Sequence, residues 1–365
     1  MQRTVLVFVL CMGLIWTGLA AAQPVQREIV VNIPGFTLYL YENGVAVRSY
    51  PISIGSELKP SLMGETTIIN KVSDPTYYPP RWWERGLEPI PPGPDNPVGT
   101  RWLGLGFPSY GIHGTNNPDS IGKAASSGCI RMRNADVEEL ADMVRIGTPV
   151  TLLYQTVLLG QDPIFGHRTL TVYPDIYNLG TTRQQLEEGL RQRGWDNVFW
   201  PVLEEIITRA SGREECLPLV VPLYHNGEQL KLWGVKVGGQ YYLPYSASGI
   251  DGLAGFDVKE WGGQRYVEVQ EYASRLGFSV HAEDAMIALH SPQAYLGDQY
   301  LGSALVIDEE VYIPIDSLSD LLALESSSLV PQQLTVVSLQ GALYVPAEAV
   351  VPYTHEAELR IEIAE

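Results

Sequence analysis

Cysteine is scarce in this 365-residue chain, with only Cys11, Cys129 and Cys216. That excludes a small scaffold stapled by disulfides. Histidine is nearly as scarce, with six residues, and His225, His281, His290 and His355 show no metal-ligand spacing. Basic residues fall short of acidic ones, 24 Lys and Arg against 42 Asp and Glu, for a formal net charge of -18. A nucleic-acid footprint is therefore absent, and an anionic membrane surface would repel the chain. Beyond residue 22 no apolar run is long enough to span a bilayer. What remains is 45% apolar and 18% charged, a globular composition with material for a sizeable core. The length predicts two or three domains.

The N-terminus reads "MQRTVLVFVLCMGLIWTGLAAAQPVQ", one Arg followed by an apolar run from Val5 to Ala22. Ala20 and Ala22 occupy the small-residue positions of an export cleavage site, so residues 1–22 are expected to be a signal peptide cut before Gln23. An uncleaved anchor is the alternative, and either way the rest of the chain is expected to be exported. Cys11 leaves with the signal. Cys129 and Cys216 then remain, and in an exported protein they can be a disulfide or two thiols.

The mature chain opens with "REIVVNIPGFTLYLYENGVAVRSYPISIG". Phe36, Leu38 and Leu40 alternate with Thr37, Tyr39 and Tyr41, and Asn43-Gly44 marks a hairpin. "GETTIINKV" predicts a further strand. "DPTYYPPRWWERGLEPIPPGPDNP" is too rich in proline for a helix or a central strand and predicts a long surface loop. Its Trp82 and Trp83 are candidates for packing against substrate. "RNADVEELADMVRIGTPVTLLY" predicts a helix capped by Asn134, with Val137, Leu140 and Val144 on one face, Arg145 in its last turn and Gly147 just past its end. "VTLLY" then closes a first domain over residues 27–155.

Residues 156–215 read as a helical connector. One helix has a capping box from Thr182 and Gln185 and stops at Gly194, and a second ends at Gly212. Residues 216–365 hold a weak internal repeat, "GGQYYLPY", "GGQRYVEV", "DEEVYIPI" and "QGALYVPA", centred on Tyr242, Tyr266, Tyr312 and Tyr344. Two of the four precede helix-like stretches, so a small α+β unit repeated is expected. Its second half resembles the copper amine oxidase N-terminal-like module of exported bacterial wall proteins. The resemblance implies a structural or wall-facing appendage, and the name does not imply copper here.

The stretch with the most chemistry is "HGTNNPDSIGKAASSGCIRM". His113 and Cys129 are the only histidine and cysteine of the first domain, 16 residues apart in sequence. A free thiol is only a few per cent ionised at neutral pH, and an adjacent imidazole corrects this by taking the proton. Gly128 allows close backbone approach, and the amides of Gly128 and Cys129 can point at an oxyanion. Arg131 can bind a carboxylate or brace the loop, and Ser126 and Ser127 offer hydroxyls. Composition alone leaves a catalytic pair and a glycine-rich loop with an incidental thiol both open.

"HGTNNPDSIGKAASSGCIRMRNADVEELADMVRIGTPV" resembles the L,D-transpeptidase catalytic domain family of the YkuD type. It carries His-Gly-Thr, Ser-x-Gly-Cys-x-Arg-Met-x-Asn, an acidic helix and Gly-Thr-Pro-Val. "PISIG", "GETTIINKV" and "PTYYPP" are similar to that family as well. The resemblance implies a mainly β catalytic domain, a β-sandwich or partly closed barrel with one main helix. It implies Cys129 as nucleophile, His113 as general base and then acid, and the Gly114 carbonyl orienting His113. Backbone N–H groups of Gly128 and Cys129 would form the oxyanion site, and Arg131, Ser126 and Ser127 would support the loop or the substrate. Many members have His where Ser127 stands. The implied substrate is a peptidoglycan stem peptide, attacked without metal or cofactor, with 3→3 cross-linking or, if water intervenes, carboxypeptidase activity.

Overall fold

The computed structural model describes residues 25–164, 166–245, 255–296, 298–307, 310–316, 337–339, 342–347 and 359–362. The signal segment and His355 lie outside the described residues. The chain divides into two compact units, the first ending at Leu153 and the second starting at Tyr154.

In the first unit, β1 (Arg27–Asn32), β2 (Thr37–Glu42) and β3 (Val45–Pro51) form a meander. Leu38 and Leu40 are fully buried, as the alternation requires, and Asn43 and Gly44 both take positive φ in the hairpin turn. Phe36 is the exception. It adopts φ 48° in the turn before β2 and is only half-buried. β4 (Ile54–Gly55), β5 (Gly64–Ser73), β6 (Arg101–Leu105), β7 (Gly111–His113), β8 (Ala124–Ser126), β9 (Ile130–Arg131) and β10 (Pro149–Leu153) follow. Eight strands form one curled sheet in the order β3-β2-β1-β10-β5-β6-β7-β9, so this unit is mainly β, as expected. The proline-rich segment contains one helical turn, α1 (Trp82–Arg85), flanked by positive φ at Arg81 and Gly86.

The main helix is α2 (Asn134–Met143), packed against β6 and β7 through Val137, Leu140 and Ala141. Its boundaries differ from expectation at both ends. Arg133 is the N-cap residue and makes no side-chain capping bond, because a guanidinium has no acceptor to offer the first N–H groups of the helix. The helix stops at Met143, and Arg145 and Gly147 lie in a following turn closed by Thr148 N–H donating to Arg145 O at 3.0 Å. Lysine from another strand serves the free carbonyls: Lys71 Nζ donates to Ala141 O and, at 2.7 Å, to Val144 O.

In the second unit, residues 156–215 carry their two helices, α3 (Thr182–Arg193) and α4 (Trp200–Arg209). They also carry an antiparallel sheet of β11 (Val157–Gln161), β12 (Arg168–Val172) and β13 (Glu214–Cys216). The expected capping box is not formed. Thr182 is already the first helical residue, and Gln185 donates to Thr181 Oγ1 and Tyr154 O and accepts from Thr156 N–H. α4 ends at Ala210, which takes φ 41°, two residues before Gly212.

Leu186, Leu203 and Ile206 of these helices share one apolar cluster with Val221, Leu243 and Val267 of the strands beyond. The repeat is visible in strand register. Tyr242, Leu243 and Pro244 oppose Glu268, Val267 and Tyr266. In the second copy Tyr312, Ile313 and Pro314 oppose Pro346, Val345 and Tyr344. All four tyrosines are buried, and Tyr242, Tyr266 and Tyr312 each donate to the side chain two residues earlier.

Candidate active site

The sheet edge places the thiol and the imidazole on one face. β7 and β9 run parallel, with Ile112 opposite Ile130 and His113 opposite Arg131. Cys129 is therefore level with Gly111, one residue before β9. Because side chains alternate across a strand, Ile112 and Ile130 enter the core, both fully buried. His113, Arg131 and Cys129 share the other face. Gly111 on that face lets the Trp102 ring pack against the strand. A Cβ there would come within 2.7 Å of the Trp102 ring and 2.9 Å of Leu103 O.

The imidazole is held in one tautomer. His113 Nδ1 lies 2.6 Å from Gly114 O. A carbonyl oxygen only accepts, so Nδ1 carries the proton and Nε2 keeps the lone pair. Trp102, opposite His113 on β6, stacks on the ring at 5.6 Å and 21°. Burial pushes the imidazole down to about 4, against the hydrogen bond to Gly114, and the positive charge of Arg131 adds to the depression. His113 is thus neutral at pH 7 and able to accept a proton.

Burial also dominates at the thiol and raises Cys129 above its ordinary value. Hydrogen bonding with the Gly111 backbone, the charge of Arg131 and the Cys129 backbone pull the other way. The sulfur lies 3.8 Å from Ser109 O. Cys129 and Cys216 are both free thiols.

The loop carrying Cys129 is pinned from several directions. Gly128 adopts φ 122°, a conformation that strains any side chain-bearing residue. Its carbonyl accepts from Ser61 Oγ at 2.7 Å and from the Tyr110 hydroxyl. Tyr110 Oη in turn accepts from Leu62 N–H. Ser126 Oγ donates to Cys129 O at 2.6 Å and accepts from Gly128 N–H at 3.0 Å. This corrects one expectation: the Gly128 amide is satisfied within its own loop and does not point at an oxyanion. Ser127 is exposed. Arg131 shares the face of the pair, and its Nε is buried without a hydrogen-bond partner.

Sequence reading missed Trp102, Tyr110 and Ser61. Tyr110 stands directly before the Gly-Ile-His run, but nothing in a linear sequence shows which ring will cover a histidine across a strand pair. The long loop is stapled by Asn96, whose Nδ2 donates to Pro75 O, Ile90 O and Pro91 O. Asn116 Nδ2 donates to Asp95 O at 3.0 Å, which ties the end of that loop to the segment just after His113. Trp83 is exposed, and Trp82 sits between the Tyr78 and Trp83 rings. Among the described residues no group of three or more His, Cys, Asp or Glu could hold a metal ion.

Comparison with known proteins identifies the first unit's relatives. Residues 26–152 match the model of the L,D-transpeptidase catalytic domain. A putative L,D-transpeptidase YkuD of Bacillus licheniformis is 41% identical over 140 residues, 38% of this chain and 73% of that protein. Its namesake in Bacillus subtilis is 42% identical over 135 residues, 37% of this chain and 71% of that protein. A probable L,D-transpeptidase ErfK/SrfK of Escherichia coli is 36% identical over 149 residues, 38% of this chain and 48% of that protein. With the matched segment ending where the first unit ends, the chain belongs to the L,D-transpeptidase family.

Proposed function

We propose that this protein is an exported cysteine L,D-transpeptidase acting on peptidoglycan stem peptides through Cys129. The observation that carries the reading is the register of β7 and β9, which sets a tautomer-locked His113 on the same face as Cys129, the only thiol among the described residues of the first unit. His113 Nε2 takes the proton from Cys129 Sγ. The sulfur attacks the carbonyl of the third stem residue, and the Cys129 N–H faces the resulting oxyanion. Collapse expels D-Ala, whose amine receives the proton from Nε2, and a thioester remains. An amine of a neighbouring stem then attacks, loses its proton to His113 and restores the thiol, giving a 3→3 cross-link. Water in place of the amine gives a tripeptide.

Arg131 lies close enough for its charge to act on both Cys129 and His113, which suits bracing of the loop or contact with a substrate carboxylate. The exposed Trp83 and its loop, tied to the His113 segment, suit one wall of a substrate groove. The repeated hairpins of residues 216–365, resembling the copper amine oxidase N-terminal-like module, suit an appendage that meets wall polymer or a wall protein. The apolar run of residues 5–22 supports export.

The test is mass spectrometry of products from purified disaccharide-tetrapeptide, with wild type and Cys129→Ala side by side. A dimer lacking one D-Ala, absent with the mutant, is expected. A tripeptide alone would make the protein a carboxypeptidase, and unchanged tetrapeptide with folded wild type would overturn the reading.

A further inference from the structure

We propose that Asn134 is a positioning residue for the His113 imidazole, acting through the Gly114–Thr115 peptide group. This rests on the reading of His113 as the base for Cys129. Asn134 is the first residue of α2, one position after the N-cap Arg133, and its side chain turns away from the helix. Its Oδ1 instead accepts from Thr115 N–H at 3.1 Å and from Thr100 N–H at 3.4 Å.

Gly114 O and Thr115 N–H are the two ends of one peptide group, and in a trans peptide they point in opposite directions. That group is therefore held from both sides. His113 Nδ1–H binds its oxygen at 2.6 Å, and Asn134 Oδ1 binds its N–H. Two consequences follow. The peptide plane is prevented from turning about the soft dihedrals of Gly114, which has no side chain to limit them. The hydrogen bond at N–H also polarises the group and strengthens the carbonyl as an acceptor. A stronger acceptor stabilises the imidazolium that forms when the thiol gives up its proton, the task a carboxylate performs in a Ser-His-Asp triad.

The packing around Asn134 is built for this contact. A Cβ placed on Gly99 or on Gly114 would fall on Asn134 Oδ1. Both glycines are thus needed for the amide to reach the peptide, and the glycine of the His-Gly pair has a reason beyond its carbonyl. α2 links the thiol loop to the imidazole: Arg131 and Met132 leave β9, Arg133 opens the helix, and Asn134 turns back to the peptide after His113.

The experiment compares Asn134→Ala and Asn134→Asp with wild type and His113→Ala, in the full chain. Turnover of disaccharide-tetrapeptide gives kcat and KM, and proton NMR follows the Nδ1–H resonance of His113. Asn134→Ala should lower kcat on the order of tenfold to a hundredfold with KM little changed, and should move or broaden the Nδ1–H signal. Asn134→Asp keeps the acceptor oxygen and should retain the signal and most of kcat. A folded Asn134→Ala with wild-type kcat and signal overturns the inference. Should Asn134→Ala not fold, Asn134→Asp decides alone, and a folded variant that has lost both readouts overturns it. Wild-type turnover by His113→Ala would instead remove the reading on which the inference rests.

Discussion

Cys129 should rest as an un-ionised thiol at neutral pH, and its alkylation rate, which follows the thiolate fraction, measures this directly. Burial raises the thiol from 9.0 and lowers the imidazole to about 4. A thiolate–imidazolium pair would need the thiol to be the stronger acid, and burial pushes the two groups the opposite way, the thiol up and the imidazole down. The resting pair is therefore neutral, and the proton moves only when a substrate carbonyl is in place to take the sulfur's electrons. A group with its pKa at 9.0 is about 1% ionised at pH 7, and a raised pKa leaves less. The assay is the rate of iodoacetamide capture between pH 5 and 11, with Cys129 and Cys216 followed as separate peptides by mass spectrometry. The Cys129 rate at pH 7 should be below about 1% of its alkaline plateau, with a single rise above pH 9. A plateau already reached below pH 7 would mean a preformed ion pair and refute the reasoning.

Acid should loosen the first unit through His113. Its folded value near 4 lies below the ordinary 6.5, so the unfolded state gains a proton first as pH falls. Stability is full above pH 6.5 and declines towards pH 4 by about 3 kcal/mol. Hydrogen exchange at Ile112 should show this decline, and His113→Gln should remove most of it. Equal acid sensitivity in both proteins would count against burial as the cause. Tyr110→Phe deletes the hydroxyl that donates to Gly128 O and accepts from Leu62 N–H. It should cost about 1–2 kcal/mol in urea unfolding and slow turnover more than it weakens substrate binding, while Ser61→Ala acts on the same carbonyl and should be non-additive with it.

How far the sequence carried differs from place to place. The Asn43-Gly44 turn and the burial of Leu38 and Leu40 follow from local rules, since two positive-φ positions and a period of two need no distant partner. The repeat was legible because each copy has the same turn and strand, whereas the burial of its four tyrosines came from the structure. The ends of α2 were not legible. Asn134 is a good capping residue by type, but a peptide 19 residues earlier claims its oxygen, and Lys71 serves carbonyls that no residue near the helix end satisfies. The Gly128 amide was misjudged for a related reason: a serine two residues away takes its hydrogen.

By itself the sequence determined the candidate reacting groups, the family and the mainly β character of the first unit. Those follow from residue types at fixed spacing, because a nucleophile, a base and a turn glycine each need particular atoms. The tertiary structure decided what those atoms are at rest. Pairing β7 with β9 put thiol and imidazole on one face, burial left both neutral, and Trp102, Tyr110 and Asn134 arrived from other segments to hold them. Desolvation and through-space hydrogen bonds depend on which segments fold against each other, and linear spacing carries no record of that.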